Sequence, residues 1–155
     1  MATWQEFAEQ APDIAELGLR IFTNYGIAYL GTIRADGGPR VVPVSPVVVG
    51  DRIYIGVMPD TPKRHDLDRD PRCVVHSLPG PMDAEVCLTG TARQVSAEWV
   101  ETLIATAPPN IRFARDTFVY EIDLERVNCT NFDNLVPGRR PRPTRSKWTA
   151  QGVAA

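Results

Sequence analysis

The sequence predicts a mainly β protein, built as an antiparallel barrel with peripheral helices. Strand-like runs rich in Val, Ile, Tyr and Thr recur between residues 27 and 127, and the turn Ala35-Asp36-Gly37-Gly38 is a strong hairpin signal. Helical patterns are few and do not alternate with the strands, which argues against parallel βαβ units. The chain has 155 residues, of which 43% are hydrophobic and 23% charged, as in one ordinary globular domain.

Three segments have helical patterns. Residues 11–24 place Pro12 near the helix start, and Gly26 follows as a residue type favoured just after a helix. A shorter helix is predicted around Trp4 to Glu9, and a third runs from a Ser96 cap to Ala105. The apolar faces of the first and third segments are Ile14, Leu17, Ile21 and Phe22, and Trp99, Leu103 and Ile104.

Six segments have strand patterns: residues 27–34, 39–50, 52–58, 72–77, 83–95 and 117–127. In the second, Pro43 and Pro46 interrupt an apolar run. Because proline cannot donate a hydrogen bond to a neighbouring strand, this segment is predicted to lie at a sheet edge, to carry a bulge or to line a ligand. In the fifth, Gly90 predicts a bend.

Residues 1–136 are predicted to form a single domain with an N-terminal helix, followed by a basic tail at 137–155. The segment 137–147 carries five positive charges, three prolines and no acid, a composition typical of a loosely ordered end. Trp148 follows this segment. Packing on the barrel, a position near a bound ligand and a loose tail all remain open for it.

Charge and cysteine content narrow the class of protein. The net charge of −2 gives no general reason to expect nucleic acid or an anionic membrane as a partner. No apolar run approaches the ~20 residues that span a bilayer, and the N-terminal residues lack the pattern of an export signal. Cys73, Cys87 and Cys129 form no CxxC pair, so reduced thiols in a cytoplasmic protein are expected.

The strongest chemical signal is a helix start, Thr61-Pro62-Lys63, directly after the strand at 52–58. Thr61 suits the cap position and Pro62 the first helical position, while free backbone N–H groups and the helix dipole favour an anion. Lys63 adds a full positive charge, so the pattern predicts a phosphate site. An ordinary cap and an ordinary charged helix face are the alternatives for these residues.

Catalytic machinery of the protein's own is not apparent in the sequence. His65 and His76, the two histidines, form no HxH or HxxxH pair, and no metal site is predicted. GxSxG, GxGxxG and Walker A patterns are missing. A ligand site with little acid–base machinery fits a phosphorylated cofactor that brings its own chemistry. Asp66, Asp68 and Asp70 alternate with basic residues and are predicted to form a surface face of the helix. The catalytic residues stay unassigned.

From about Ile14 to Val127 the order of elements resembles one family. A hairpin with DGGPR, a helix with Lys63 that ends in LDRDPR, and a later strand with LTGTA are similar to the pyridoxamine 5′-phosphate oxidase-like proteins. The resemblance implies a split antiparallel β-barrel, the FMN-binding split barrel. It also implies a homodimer with the cofactor at its interface, and a flavin- or deazaflavin-dependent oxidoreductase acting on a small molecule.

The resemblance also implies roles for individual residues. Arg40 matches a strand arginine that reaches the cofactor phosphate, and Thr61 and Lys63 match residues that hold the same group. The residues implied to lie along the ring or the ribityl chain are Val41, Val42, Val57 and Met58. Glu85 falls where such oxidases often place a glutamine from the facing subunit.

Other features depart from pyridoxamine phosphate oxidases. Ser45 stands where those enzymes carry a lysine, and their C-terminal Arg–His motif has no recognisable counterpart, so the sequence does not indicate their substrate. FMN is favoured as cofactor because the predicted site is compact. The deazaflavin coenzyme F-420 has a longer anionic tail, for which the basic residues Arg139, Arg140, Arg142 and Arg145 are available. A non-catalytic flavin or haem carrier or sensor, with His65 or His76 as axial ligand, is the alternative of another class.

Overall fold

A computed structural model describes residues 1–80, 83–106, 113, 116–132, 138 and 142–151. Its helices are α1 (Trp4–Gln10), α2 (Pro12–Tyr25), α3 (Pro62–Arg69) and α4 (Ala97–Thr106). Its strands are β1 (Ala28–Ile33), β2 (Pro39–Val44), β3 (Pro46–Val49), β4 (Arg52–Val57), β5 (Arg72–Ser77), β6 (Glu85–Gln94), β7 (Phe118–Asn131) and β8 (Thr144–Thr149).

The strands form one antiparallel sheet in the order β2-β1-β5-β6-β7-β4-β3, with β8 paired to β7. The sheet curls into a split β-barrel with helices at its periphery, which confirms the predicted fold. The segment at 39–50 is two strands rather than one, since Ser45 separates β2 from β3. These two strands are the ends of the strand order, so the edge position predicted from the prolines is confirmed.

Helix α2 follows its predicted pattern closely. It begins at Pro12 and is followed by Gly26, whose φ of 64° lies in the left-handed region where glycine has no steric penalty. Ile21 and Phe22 of its apolar face are buried in the barrel core. The helix therefore covers the sheet with the face that the sequence indicates.

Helix α4 is rotated relative to the predicted apolar face. Ser96 is the cap, since its Oγ accepts from the backbone N–H of Trp99 at 3.2 Å. The buried residues are Val100 and Leu103, whereas Trp99 and Ile104 are exposed. The prediction for those two residues was wrong because the helix turns Val100 and Leu103 toward the protein. Trp99 stays partly exposed, and its indole N–H donates to the Tyr54 hydroxyl at 3.1 Å.

The C-terminal segment supplies a strand that the sequence did not predict. β8 pairs with the far half of β7, which runs four residues beyond the predicted end at Val127. Trp148 is buried there, with its ring centroid 5.0 Å from that of Phe7 and its indole N–H donating to Gln10 Oε1 at 3.0 Å. Trp148 thus packs on the barrel. Arg139 and Arg140 lie outside the described residues.

Among the described residues, no helix combines the length and apolar character that crossing a bilayer requires.

Candidate functional site

Helix α3 lies against the barrel beside β1 and β2. Leu67 is buried in the core, and Asp66 beside it has only 3% of its surface exposed. Thr32 of β1 and Arg40 of β2 lie opposite each other in the strand ladder. Both donate to Asp66 Oδ2, the Thr32 hydroxyl at 2.8 Å and Arg40 Nε at 2.6 Å. Asp66 therefore ties the helix to the two strands.

Two guanidinium groups balance the buried carboxylate. In addition to Arg40, Arg69 approaches with its Nη2 3.4 Å from Asp66 Oδ1. Burial by itself would raise the pKa of the Asp66 carboxyl, but the hydrogen bonds from Arg40 and Thr32 outweigh burial and hold the pKa below its usual value. Asp66 is thus ionised at neutral pH, and the cluster of one carboxylate and two arginines keeps a net positive charge.

Arg40 keeps most of its donors available. Its Nε contacts Asp66, while its Nη atoms have no partner among the described residues. The side chain is 25% exposed. Because a guanidinium carries five N–H groups in a fixed plane, holding one of them in place orients the others. Arg40 can therefore bind an anion without breaking its bond to Asp66.

Lys63 reaches from α3 back to β2. Its Nζ donates to the carbonyl oxygen of Pro43 at 3.3 Å, and no carboxylate of the described residues pairs with it. Partial burial lowers the pKa of the Lys63 ammonium below its usual value. We call the surface where β2 meets α3, which carries Arg40 and Lys63, the basic cleft. The positive charge of the basic cleft exceeds the negative charge of the carboxylates beside it.

Thr61 occupies the cap position of α3 but does not cap the helix through its side chain. Its hydroxyl donates to the carbonyl oxygen of Met58 at 2.9 Å, and no backbone N–H of the helix donates to it. The expected cap was wrong because the side chain turns back toward the preceding strand. Among the described residues, the backbone N–H of Lys63 has no acceptor. The start of α3 therefore offers a free N–H to a ligand.

The residues expected along a ring differ in exposure. Val41, next to Arg40 in β2, is 66% exposed, and Met58, just after β4, is 50% exposed. Val42 is half-buried against the core, and the side chain of Val57 is fully buried in it. Val41 and Met58 thus offer side chains to a ligand, whereas Val57 has only its main chain to offer.

Glu85 lies away from the basic cleft within the same chain. It is on β6, three strand steps from β2, which is about 14 Å along the sheet. Its Oε2 is 3.7 Å from His76 Nε2, and His76 Nδ1 lies 2.8 Å from the carbonyl oxygen of Ser77. His65 is exposed on α3. The structure therefore brings Arg40, Thr61 and Lys63 together and leaves Glu85 apart.

Sequence reasoning missed Asp66. The alternation of acids and bases in α3 predicted that Asp66, Asp68 and Asp70 form a solvated face, and for Asp66 this was wrong. A helix that presents a single leucine to the core has to complete its packed face with a neighbouring polar residue, which is the signal that would have found Asp66. Asp68 is also engaged, since it accepts from the Tyr120 hydroxyl at 2.6 Å.

A cavity of about 610 Å³ borders the loop between β4 and α3 at Pro59. Its walls include Pro59, Val95, Thr117 and Phe118. The guanidinium of Arg64 also lies over the Phe118 ring in a cation–π contact, with its central carbon 3.8 Å from the ring centroid. No group of three or more His, Cys, Asp and Glu side chains in the described parts of the chain is placed to hold a metal ion.

Fold and site together define a split-barrel protein with a basic cleft between an edge strand and a short helix. The family model for pyridoxamine 5′-phosphate oxidase matches residues 19–131. The chain therefore belongs to the pyridoxamine 5′-phosphate oxidase-like family, as the sequence resemblance indicated. No curated protein matches the chain in sequence.

Solved structures of low sequence identity share the fold. A heme binding protein from Mycobacterium smegmatis is 19% identical with a TM-score of 0.61; the match covers 84% of this chain but only 56% of that protein. A protein from Clostridium acetobutylicum, related to general stress protein 26 of the pyridoxinephosphate oxidase family, is 13% identical with a TM-score of 0.61, and 94% and 95% of the two chains are covered. A nimC/nimA family protein from the same organism is 18% identical with a TM-score of 0.58, covering 83% and 90%.

Proposed function

We propose that this protein is an FMN-dependent oxidoreductase of the pyridoxamine 5′-phosphate oxidase type that acts on a small molecule. One observation carries the proposal: Arg40 of β2 and Lys63 of α3 both bond across the junction of these two elements, and both have donors free for an anion. Membership of the family supports a flavin as the source of that anion.

The residues of the basic cleft fit a single phosphate group. Charge-assisted bonds from Lys63 Nζ and the Arg40 guanidinium, with the free N–H of Lys63 at the start of α3, match the acceptor oxygens of a phosphate monoester. Val41 and Met58 would lie along the flavin ring, which when bound carries hydride or electrons. The chain itself supplies anchoring, orientation and an apolar wall.

The position of Arg145 favours FMN over the deazaflavin F-420. Arg145 lies in β8, five strand steps from β2, or about 24 Å along the sheet. Within one chain Arg145 therefore belongs to a strand far from β2 in the sheet order, which does not favour it as an extension of the basic cleft for a longer anionic tail. An F-420-dependent reductase is the alternative, with the additional basic residues coming from a second subunit.

A haem carrier or sensor is the second candidate, and the geometry of His76 is the observation that favours it. A carbonyl oxygen can only accept, so His76 Nδ1 donates to Ser77, and in the neutral ring Nε2 keeps a lone pair. This nitrogen can bind iron once Glu85 Oε2, 3.7 Å away, moves aside. One protein of similar fold is a heme binding protein.

Cofactor titration tests the proposed function. We expect FMN to bind at least about tenfold tighter than riboflavin, because only FMN carries the phosphate. Calorimetry with FMN, riboflavin, F-420 and haemin measures this.

Binding of F-420 without FMN would reverse the cofactor assignment, and a Soret band that disappears in His76→Ala would favour the haem carrier. Tight FMN binding whose reduced form no substrate reoxidises would indicate a flavin carrier or sensor rather than an enzyme.

We further propose a homodimer with the cofactor at its interface. Ile27 just before β1, Tyr29 in β1 and Val41 in the neighbouring edge strand β2 expose 46%, 46% and 66% of their surfaces. A second copy would cover them in an interface of more than ~2,000 Å² in total. It would also bring Glu85 of the partner subunit to the cofactor. We expect sedimentation to show a dimer that Val41→Asp dissociates; a monomer at saturating FMN would contradict the proposal.

We also infer a cytoplasmic location. Cys73, Cys87 and Cys129 are free thiols, and burial raises the pKa of Cys73 to about 12. Three unpaired thiols in one small domain favour a reducing compartment.

A further inference from the structure

We propose that Asp66 positions Arg40 for the phosphate, so that a buried carboxylate of α3 fixes the orientation of the anion-binding guanidinium of β2. This inference rests on the proposed function, since it assigns Asp66 a role in the same site. Asp66 would not contact the ligand. It would act through Arg40.

The pattern of contacts separates positioning from simple charge neutralisation. An arginine that only neutralises a carboxylate commonly forms two parallel bonds with it. Arg40 instead gives Asp66 one of its five N–H groups, through Nε at 2.6 Å, and leaves the other four unpaired among the described residues. Since the guanidinium is rigid, that single bond sets the direction in which its Nη atoms point.

Asp66 is itself fixed in place. Its side chain is 5% exposed, and its Oδ2 accepts from Thr32 as well as from Arg40. Arg69, on the same helix, holds its other oxygen. A buried charge without such partners would be costly, so the neighbours and the carboxylate fix each other. A support of this kind gives a binding side chain the preorganisation that tight binding requires.

The sign of the effect of Asp66→Asn tests the inference. On charge alone, removing a carboxylate beside the cleft should strengthen FMN binding. If Asp66 positions Arg40, the same change should weaken FMN binding by about tenfold while riboflavin affinity changes by less than about twofold. Both affinities are measured calorimetrically, together with the melting temperature. Asp70→Asn is the matched control, because Asp70 pairs with Arg72 and not with a residue of the cleft.

Two Arg40 variants, each combined with Asp66→Asn, separate a positioning role of Asp66 from a purely structural one. With Arg40→Ala in place, Asp66→Asn should cause no additional loss of FMN affinity. With Arg40→Lys, Asp66→Asn should raise FMN affinity, because the single ammonium would no longer be held by the carboxylate. A structural role would lower affinity in every background and for both flavins.

The outcomes distinguish this inference from the proposed function. If Arg40→Ala weakens FMN and Asp66→Asn leaves FMN binding unchanged or strengthens it, Asp66 does not position Arg40, although the phosphate site stands. Equal losses for FMN and riboflavin in Asp66→Asn would also overturn positioning. If Arg40→Ala alters neither flavin, the phosphate assignment of Arg40 fails, and the inference fails with it.

Discussion

Gly90→Ala is expected to lower the free energy of unfolding by about 3 kcal/mol, since overpacking against the main chain cannot be relieved by a side-chain rotation. A Cβ at this position would lie 2.1 Å from the carbonyl oxygen of Asp123. The register of β6 against β7 shifts between Thr89 and Gly90, so the two backbones approach each other closely at this point. The alanine would force the central strand pair of the barrel apart.

Gly18→Ala is the matched control for this prediction. Gly18 lies inside α2, and the nearest atoms to an added Cβ are side-chain atoms of Trp4 and Val86, each at 3.5 Å, an ordinary contact. Alanine is favoured over glycine within helices by about 1 kcal/mol, so this variant should be more stable than the wild type. Urea denaturation measures both. A Gly90→Ala protein as stable as the wild type would show that the close approach of β6 and β7 does not occur.

Local signals were sufficient for most of the fold. The ADGG turn fixed the first hairpin, and Pro12 with Gly26 bounded α2. Gly90 marked the bend in β6, which is confirmed as a register shift. These predictions succeeded because each depends on backbone conformations or hydrogen-bonding limits of residues close together in the chain.

The errors arise where distant segments decide. β8 has an exposed polar sequence with one buried residue, Trp148, and it becomes a strand because the far half of β7 offers a free edge. The orientation of α4 likewise involves a distant strand, β4, where the Tyr54 hydroxyl accepts from the Trp99 indole N–H. Periodicity within a segment does not contain this information, because the partner is supplied by another part of the chain.

The candidate site shows the same division. The helix start at Pro62 and the nearby strand arginine Arg40 were found from sequence, because their residue types limit local structure and carry charge. The buried state of Asp66 was not found, since it depends on Thr32 and Arg40 arriving from two strands that precede it by more than 25 residues. The hydroxyl of Thr61 donates to the carbonyl oxygen of Met58 instead of accepting from a backbone N–H of α3. Both partners are close to Thr61 in the chain, so the sequence does not decide between them.

Lys63→Ala should weaken FMN binding by roughly ten- to a hundredfold, since a charge-assisted bond contributes on the order of 1.5–3 kcal/mol. Riboflavin affinity should change little, because riboflavin has no phosphate.

The pH dependence of FMN affinity should change as well. The pKa of Lys63 is lowered by burial, and a bound phosphate would raise it, so wild-type FMN affinity should fall as the pH rises through the pKa of the free protein. The variant should lack that decline.

Lys147→Ala is the matched control for Lys63→Ala, because it removes the other lysine of the chain from an exposed position in β8, across the sheet from the cleft. It should leave both flavin affinities unchanged. Thr61→Val should reduce stability slightly, through the lost bond to Met58, and affect FMN less than Lys63→Ala does. Equal weakening of FMN and riboflavin by Lys63→Ala would mean that Lys63 acts through the fold. If neither affinity changed, the start of α3 would not be the anion site, and Arg40 would lose the neighbour that makes the basic cleft a phosphate site.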